Sequence, residues 1–266
     1  MRIVLLGDMH LYTLAIAPHR LLSKRFLGQS NLWLRRRHHF LRERWPGLIA
    51  HAASLAPDVV LGSGDLTTTA LPHEFELAKQ AIAPLVDAAR DVFFVPGNHD
   101  RYTHRSMRNR VFEAHLGDWT ANAWPHHREL ADGVHLIGID PTRPTLLQAS
   151  GLCGEAQLSK LEAILGGIDR SHRVIVVCHY PIDTPPGHPV EPRPHRLLDQ
   201  RDLAYVLGKA RHDTLYLHGH MHHVWCWRMD ETVAPNVTVI NAGAPVMHNR
   251  DWPHGQGFWQ IDLDIR

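Results

Sequence analysis

Short apolar runs alternate with longer amphipathic stretches along most of the chain. Nearly continuous apolar runs are typical of strands buried on both faces, and the stretches between them predict helices that cover the sheets. The predicted strands are Ile3–Gly7, Val59–Gly62, Val92–Val95, Val134–Ile139, Val174–Cys178 and Thr214–Leu217. The predicted helices cover about His38–Leu55, His73–Ala89, Gly154–Leu165 and Asp199–Lys209. The fold class that this alternation indicates is α/β.

The pattern changes after His222. Three further strands are predicted there with no helix between them, so we expect a closing antiparallel section. The Pro-rich stretch Pro181–Pro194 predicts a loop rather than a linker between domains. The three closing strands are predicted at Val224–Met229, Val237–Asn241 and Phe258–Leu263.

The length and the absence of a Pro-, Gly- or Ser-rich linker favour a single domain over residues 1–266. We expect this domain to carry an early insertion at about residues 11–45. The apolar run before Asp8 is shorter than the roughly 7–15 residues of a signal peptide, and no run reaches the about 18–20 residues of a membrane span. A cytoplasmic location is therefore expected.

Polar residues cluster at the ends of the predicted strands. Ligands of open α/β sheets bind outside the carboxyl ends of the strands, so these clusters are expected to converge at one rim. In extended backbone, residues i and i+2 point the same way, so Asp8-x-His10 and His220-x-His222 are each expected to aim two side chains at one point. The clusters are Asp8 with His10, Asp65, Asn98-His99-Asp100, His179, and His220 with His222.

The side chains in these clusters are carboxylates, imidazoles and one amide, without a thiolate. This mixture suits divalent ions such as Mn, Fe or Zn and differs from a structural thiolate zinc site. Simpler interpretations stay open for single residues. Asp65 could cap a helix, His179 could merely end a strand, and Asn98 and Asp100 could lie in a turn.

The motifs GD-M-H, GD, GNHD, H and GH-M-H, in this order across residues 7–222, resemble those of the calcineurin-like metallophosphoesterase superfamily. The resemblance implies a four-layer α/β/β/α sandwich of two mixed sheets. It also implies two divalent metal ions and hydrolysis of a phosphoester by a hydroxide that bridges them. Bacterial dimetal phosphodiesterases have a similar pattern, so a phosphodiester is the first choice of substrate.

Other substrates and one other class of protein stay open. A phosphomonoester is one alternative, and the pyrophosphate of a nucleotide-linked lipid is another. Enzymes of the latter group have a sequence similar to GNRD at the third motif, whereas this chain has Asn98-His99-Asp100 after the glycine. This difference weakens the resemblance to that group. A non-catalytic metal-binding scaffold is a remote alternative, because every expected ligand is present.

The resemblance also implies a role for each residue. His99 would not bind metal but would stabilise charge on the phosphate or protonate the leaving oxygen, and Asp100 would orient it. Asp65 would bridge the two metals. The implied ligands are Asp8, His10, Asp65 and His222 for one metal and Asp65, Asn98, His179 and His220 for the other.

Charge and histidine content add two observations. The formal net charge is only +1, but Arg20–Arg44 contains eight basic residues against the single acidic Glu43, together with the apolar Leu32-Trp33-Leu34. This segment could contact a lipid-linked substrate or a membrane surface, or it could form a helix face that packs on the core. No nucleic-acid partner is expected. The chain has 23 histidines, and His126-His127 are expected at the surface.

Overall fold

The computed structural model describes residues 1–12, 39–145, 148–188, 192–230 and 232–264. Its strands are β1 (Arg2–Leu6), β2 (Val59–Gly62), β3 (Asp91–Phe94), β4 (His126–Ala131), β5 (Val134–Gly138), β6 (Arg173–Val177), β7 (Asp213–His218), β8 (Val224–Arg228), β9 (Val237–Ala242) and β10 (Trp259–Asp262). Its α-helices are α1 (Trp45–Ser54), α2 (Pro72–Ala88), α3 (His104–Arg108), α4 (Val111–Leu116), α5 (Glu155–Gly167) and α6 (Gln200–Ala210).

The strands form two mixed sheets. The four-stranded sheet has the order β10-β1-β2-β3, with β1, β2 and β3 parallel and β10 antiparallel to β1. The six-stranded sheet has the order β4-β5-β6-β7-β9-β8. Its four central strands are parallel, and the two edge strands β4 and β8 are antiparallel to their neighbours.

Three apolar cores separate four layers. Successive residues of a strand face opposite ways, so Ile3 and Leu5 of β1 pack in the core between the sheets while Val4 and Leu6 pack in an outer core beneath helices α1 and α2. The other outer core joins the six-stranded sheet to α5 and α6. The predicted four-layer α/β/β/α sandwich is therefore confirmed.

The structure departs from the predicted elements in several places. Strand β4 was not predicted, because its sequence HHRELA is polar and it lies at a sheet edge. The short helices α3 and α4 were also not predicted. The helix predicted from His38 begins only at Trp45, after a 3₁₀ turn at Arg42–Arg44, with Pro46 in its first turn, and residue 38 itself lies outside the described residues. The closing strands divide between the sheets, and β9 is parallel to β7.

Only the two ends of the predicted insertion, residues 11–12 and 39–45, fall within the described residues. There Phe40 is buried in the outer core of the four-stranded sheet. Arg42 donates to the Tyr12 carbonyl at 3.0 Å and lies over the Tyr12 ring at 3.8 Å. At residues 40–42 these contacts are with the rest of the fold. Residues 20–38 of Arg20–Arg44 lie outside the described residues, so the membrane or lipid contact expected of this segment stays a prediction. Within the described part of the chain, no helix is both long and apolar enough to cross a membrane.

Candidate metal centre

All of the predicted site residues lie just beyond the carboxyl ends of strands, and most of them meet at one rim between the two sheets. The four-stranded sheet supplies one half of the site and the six-stranded sheet supplies the other. Asp8 and His10 follow β1, Asp65 follows β2, Asn98, His99 and Asp100 follow β3, His179 follows β6, and His220 and His222 follow β7.

One group of ligand atoms gathers around His10. Its Nε2 lies 2.8 Å from His222 Nε2 and 3.7 Å from Asp65 Oδ2. His222 Nε2 lies 3.1 Å from Asp8 Oδ2. Asp8, His10 and Asp65 are almost fully buried, whereas His222 is partly exposed. Two nitrogen and two oxygen donors therefore face a common point.

A second group gathers around His179, which is fully buried. Its Nε2 lies 3.1 Å from Asn98 Oδ1, 3.2 Å from His220 Nδ1 and 3.4 Å from Asp65 Oδ2. The same Asp65 Oδ2 thus belongs to both groups. The two groups correspond to the two ligand sets that the motifs imply, with Asp65 between them.

Backbone carbonyls accept hydrogen bonds from two of the ligand histidines, at the ring nitrogen that faces away from the site. His179 Nδ1 is 2.8 Å from the Ser63 carbonyl, and His220 Nε2 is 2.8 Å from the His195 carbonyl. A carbonyl only accepts, so the nitrogen facing it carries a proton and the other nitrogen is the atom that faces the site. Sequence reasoning missed these partners, because a backbone carbonyl leaves no residue-type signal.

The backbone at four of these residues is left-handed, with φ of 46° at His10, 55° at Asp65, 69° at His220 and 51° at His222. Such values are uncommon outside glycine and cost of order 1–3 kcal/mol each. The expectation of extended Asp-x-His and His-x-His segments was therefore wrong. Asp8 and His10 converge through a turn, while His220 and His222 diverge into the two different groups.

The electrostatics of the site favour a bound cation. Burial raises the pKa of Asp65, but the charges of His179, His99 and His10 outweigh this effect and hold that pKa well below its usual range. Burial likewise lowers the pKa of His179, but Asp65 and Asp8 outweigh it and raise the pKa to about 10. The carboxylates thus bind positive charge strongly. Together with the converging nitrogen and oxygen donors, this makes the residues fit two divalent ions.

His99 lies beside the first ligand group. Its backbone N–H donates to Asp65 Oδ1 at 2.8 Å, and its Nδ1 lies 2.7 Å from the Thr68 carbonyl. One of its ring nitrogens also lies within 4.8 Å of donor atoms of His10 and Asp65, so this trio could itself hold a metal ion. Geometry alone leaves both roles of His99 open, ligand or catalytic residue.

Asp100 is fully buried. It supports the loop that contains Thr68, whose carbonyl lies 2.7 Å from His99 Nδ1. Its carboxylate accepts backbone N–H groups of Gly97 at 3.0 Å, Thr67 at 3.0 Å and Leu66 at 3.3 Å. Burial, reinforced by the charge of Asp65, raises the pKa of Asp100 to about 7. These bonds hold the backbone that leads to Thr68, whose carbonyl faces His99 Nδ1. The expectation that Asp100 orients His99 stays a prediction.

Replacing Asp100 by alanine is expected to destabilise the fold. Three buried N–H groups would lose their acceptor, and each such loss costs about 1–3 kcal/mol, so the total is about 3 kcal/mol or more. Asp100→Asn keeps one carbonyl acceptor and should cost less. Urea unfolding of the two variants beside the unmodified chain measures the difference. A loss below about 1 kcal/mol for Asp100→Ala would show that the loop is held by other contacts.

The fold is similar to that of two solved phosphatases and of a solved phosphopantetheinyl hydrolase. A dimetal phosphatase from Danio rerio aligns with a TM-score of 0.63 and 17% identity, over 98% of this chain and 91% of that one. The purple acid phosphatase PPD1 of yellow lupin (Lupinus luteus) aligns with a TM-score of 0.56 and 14% identity, over 100% of this chain and 46% of that one. A phosphopantetheinyl hydrolase from Mycobacterium tuberculosis aligns with a TM-score of 0.52 and 14% identity, over 81% of this chain and 90% of that one. At these identities the likeness shows the fold alone.

No curated protein sequence matches the chain. The model of one sequence family does match it, over residues 1–224, which contain all five ordered motifs and every residue of the two ligand groups. By this match the chain belongs to the calcineurin-like phosphoesterases, a family of metal-dependent phosphoester hydrolases with a dimetal centre.

Proposed function

We propose that this protein hydrolyses phosphodiesters at a centre of two divalent ions held by the two ligand groups. The observation that supports this most directly is the position of Asp65, whose Oδ2 faces His10 at 3.7 Å and His179 at 3.4 Å. A shared carboxylate offsets the repulsion between two dications about 3.5–4 Å apart. Ions bound there would lower the pKa of a water nucleophile toward neutrality and polarise the phosphoryl oxygens.

The protein's own residues bind and orient the phosphoester, and they exclude water from one side of the site. Asp8, Asp65 and His179 form a buried floor. Asn98, His99, His220 and His222 are partly exposed, so a phosphoester reaches the centre from their side. The Thr68 carbonyl accepts a hydrogen bond from His99 Nδ1–H. The other ring nitrogen, Nε2, is therefore the atom that can contact a phosphoryl or leaving oxygen. The donor set suits Mn, Fe or Zn.

A phosphodiester is expected to react faster than a phosphomonoester. This preference rests on the resemblance of the motif pattern to that of bacterial phosphodiesterases, and not on the geometry of the site. Comparing kcat/KM for bis-nitrophenyl phosphate and mono-nitrophenyl phosphate with Mn²⁺ present measures it. We expect a ratio of about ten or more, which corresponds to about 1.4 kcal/mol of transition-state stabilisation.

An inactive variant makes this comparison specific. Asp65→Asn should remove both activities, which excludes a contaminating phosphatase. A preference for the monoester would contradict the diester proposal but leave metal-dependent hydrolysis intact. A nucleotide-linked lipid pyrophosphate and a cyclic nucleotide belong in the same panel. A protein that binds two metal equivalents without turning over any of these substrates would instead favour the scaffold alternative.

A further inference from the structure

Three histidines on the outer face of the six-stranded sheet form a hydrogen-bonded series away from the metal centre. His135 lies near the amino end of β5, whereas the metal centre lies beyond the carboxyl ends of β6 and β7. His135 Nδ1 is 3.1 Å from Nε2 of His127 on the edge strand β4. His135 Nε2 is 3.0 Å from Nδ1 of His172, which precedes β6. Both nitrogens of His135 are therefore engaged by other imidazoles.

A carboxylate lies on the same face of the β4–β5 hairpin. Glu129 comes two residues after His127 on β4, and the strand pairing places it directly opposite His135. Residues two apart on a strand, and residues directly opposite on neighbouring strands, share one face of the sheet. Glu129 Oε1 accepts the N–H of Gly133 at 3.2 Å, which keeps its side chain at the hairpin. This face thus presents two imidazoles, with the Glu129 carboxylate on the same face but directed at Gly133 rather than at the two ring nitrogens.

We propose that His127, His135 and Glu129 form a third metal site, for a borderline ion such as Zn²⁺, Ni²⁺ or Cu²⁺. The ion lies between His127 Nε2 and His135 Nδ1, and Glu129 turns to supply an oxygen. Imidazole nitrogens with one carboxylate are a ligand set that these ions bind readily. Because His127 is exposed on an edge strand, an ion can reach the site from solvent.

The nitrogen spacing matches that of the metal centre. The ligand pairs there are 2.8 Å apart for His10 and His222 and 3.2 Å apart for His179 and His220. The 3.1 Å between His127 and His135 falls within this range. Two neutral imidazoles in a plain hydrogen bond show the same spacing, so the nearby carboxylate and the exposed His127 are what favour an ion.

His172 holds the ring of His135 in position for the proposed ion. With an ion on His135 Nδ1, the opposite Nε2–H donates to His172 Nδ1 and fixes the ring. Ligand histidines commonly have such a partner, and losing it typically lowers metal affinity about 10–100-fold. Removing His172 should therefore weaken the site, whereas removing His127 should abolish it.

Equilibrium dialysis of the full chain against Zn²⁺, followed by elemental analysis, tests the proposal. We expect His127→Ala to bind one equivalent less than the unmodified protein, Glu129→Gln to bind the third ion more weakly, and His172→Ala to lose about 10–100-fold in its affinity. Phosphoesterase turnover should be unchanged in all three. The matched control is His115→Ala, which removes a histidine 2.8 Å from the carboxylate of Glu76 on another face of the molecule.

Equal zinc content in His127→Ala and the unmodified protein would overturn the proposal and leave a plain hydrogen-bonded series. Equal losses in His127→Ala and His115→Ala would do so too, since they would indicate non-specific binding by surface histidines. If His127→Ala fails to fold, electron paramagnetic resonance of the unmodified protein decides. One equivalent of Cu²⁺, added after only two equivalents of Zn²⁺ have been bound at the catalytic centre, should show coupling to imidazole nitrogen, and a spectrum without it would contradict the site.

Discussion

Asp65→Asn is expected to abolish phosphoester hydrolysis and to lower the bound metal content. The substitution keeps the shape of the side chain but removes the charge that faces both ligand groups, at 3.7 Å from His10 Nε2 and 3.4 Å from His179 Nε2. Without a shared anion, two dications repel each other more strongly. The loss of turnover should exceed the roughly 10–100-fold that removal of an outer partner of a metal ligand costs.

Asparagine is a more informative substitution than alanine at position 65 because the backbone there is left-handed. Asp65 has φ of 55°, a region that asparagine tolerates better than alanine does. Asp65→Ala should therefore lose activity, metal and some stability, whereas Asp65→Asn should lose activity and metal with little change in stability. Elemental analysis and urea unfolding separate these effects. Full metal content in a folded Asp65→Asn variant would mean that the carboxylate charge is not needed to hold the ions.

His99→Ala is expected to keep both metals and to lose about 10²–10⁴-fold in turnover on a diester with a poor leaving group. A poor leaving group needs protonation as its bond to phosphorus breaks, and a positioned imidazole can supply that proton. A nitrophenolate leaves without such help, so the loss on bis-nitrophenyl phosphate should be much smaller. The measurement is kcat for aryl and alkyl diesters, with metal content determined on the same samples.

The metal content decides between the two roles that geometry leaves open for His99. Loss of an ion in His99→Ala would make it a ligand, together with His10 and Asp65. His99→Gln is a useful companion, because glutamine can still donate a hydrogen bond to the phosphate but cannot transfer a proton. Equal losses for good and poor leaving groups, with both metals retained, would indicate charge stabilisation rather than acid catalysis.

Much of the fold and the site could be predicted from the sequence, because the central strands are apolar on both faces. Runs such as Val59–Gly62 and Val174–Cys178 have few alternatives to a buried strand, and their ends locate the polar clusters. The edge strand β4 could not be predicted in the same way. Its outer face is polar and its pairing depends on β5, which is a tertiary contact.

The backbone of the site was the other limit. Sequence reasoning predicted which side chains converge but assumed extended segments, whereas His10, His220 and His222 have left-handed φ. That conformation is uncommon at any residue other than glycine, although less so at histidine than at most, so the residue type alone does not predict it. The histidine series at His127, His135 and His172 was missed for a related reason, since these residues come together only through strand register.

The division of the ligands between the two sheets has a consequence for how the protein acquires its ions. The ligands run from Asp8 to His222, so neither sheet alone carries a complete set, and a nascent chain cannot assemble the centre until His222 has been synthesised. An ion can therefore bind its complete ligand set only once the two sheets have packed together. Which metal the enzyme carries in a cell would then depend on the ions available to the finished protein, and growth conditions should change its metal content without changing its fold.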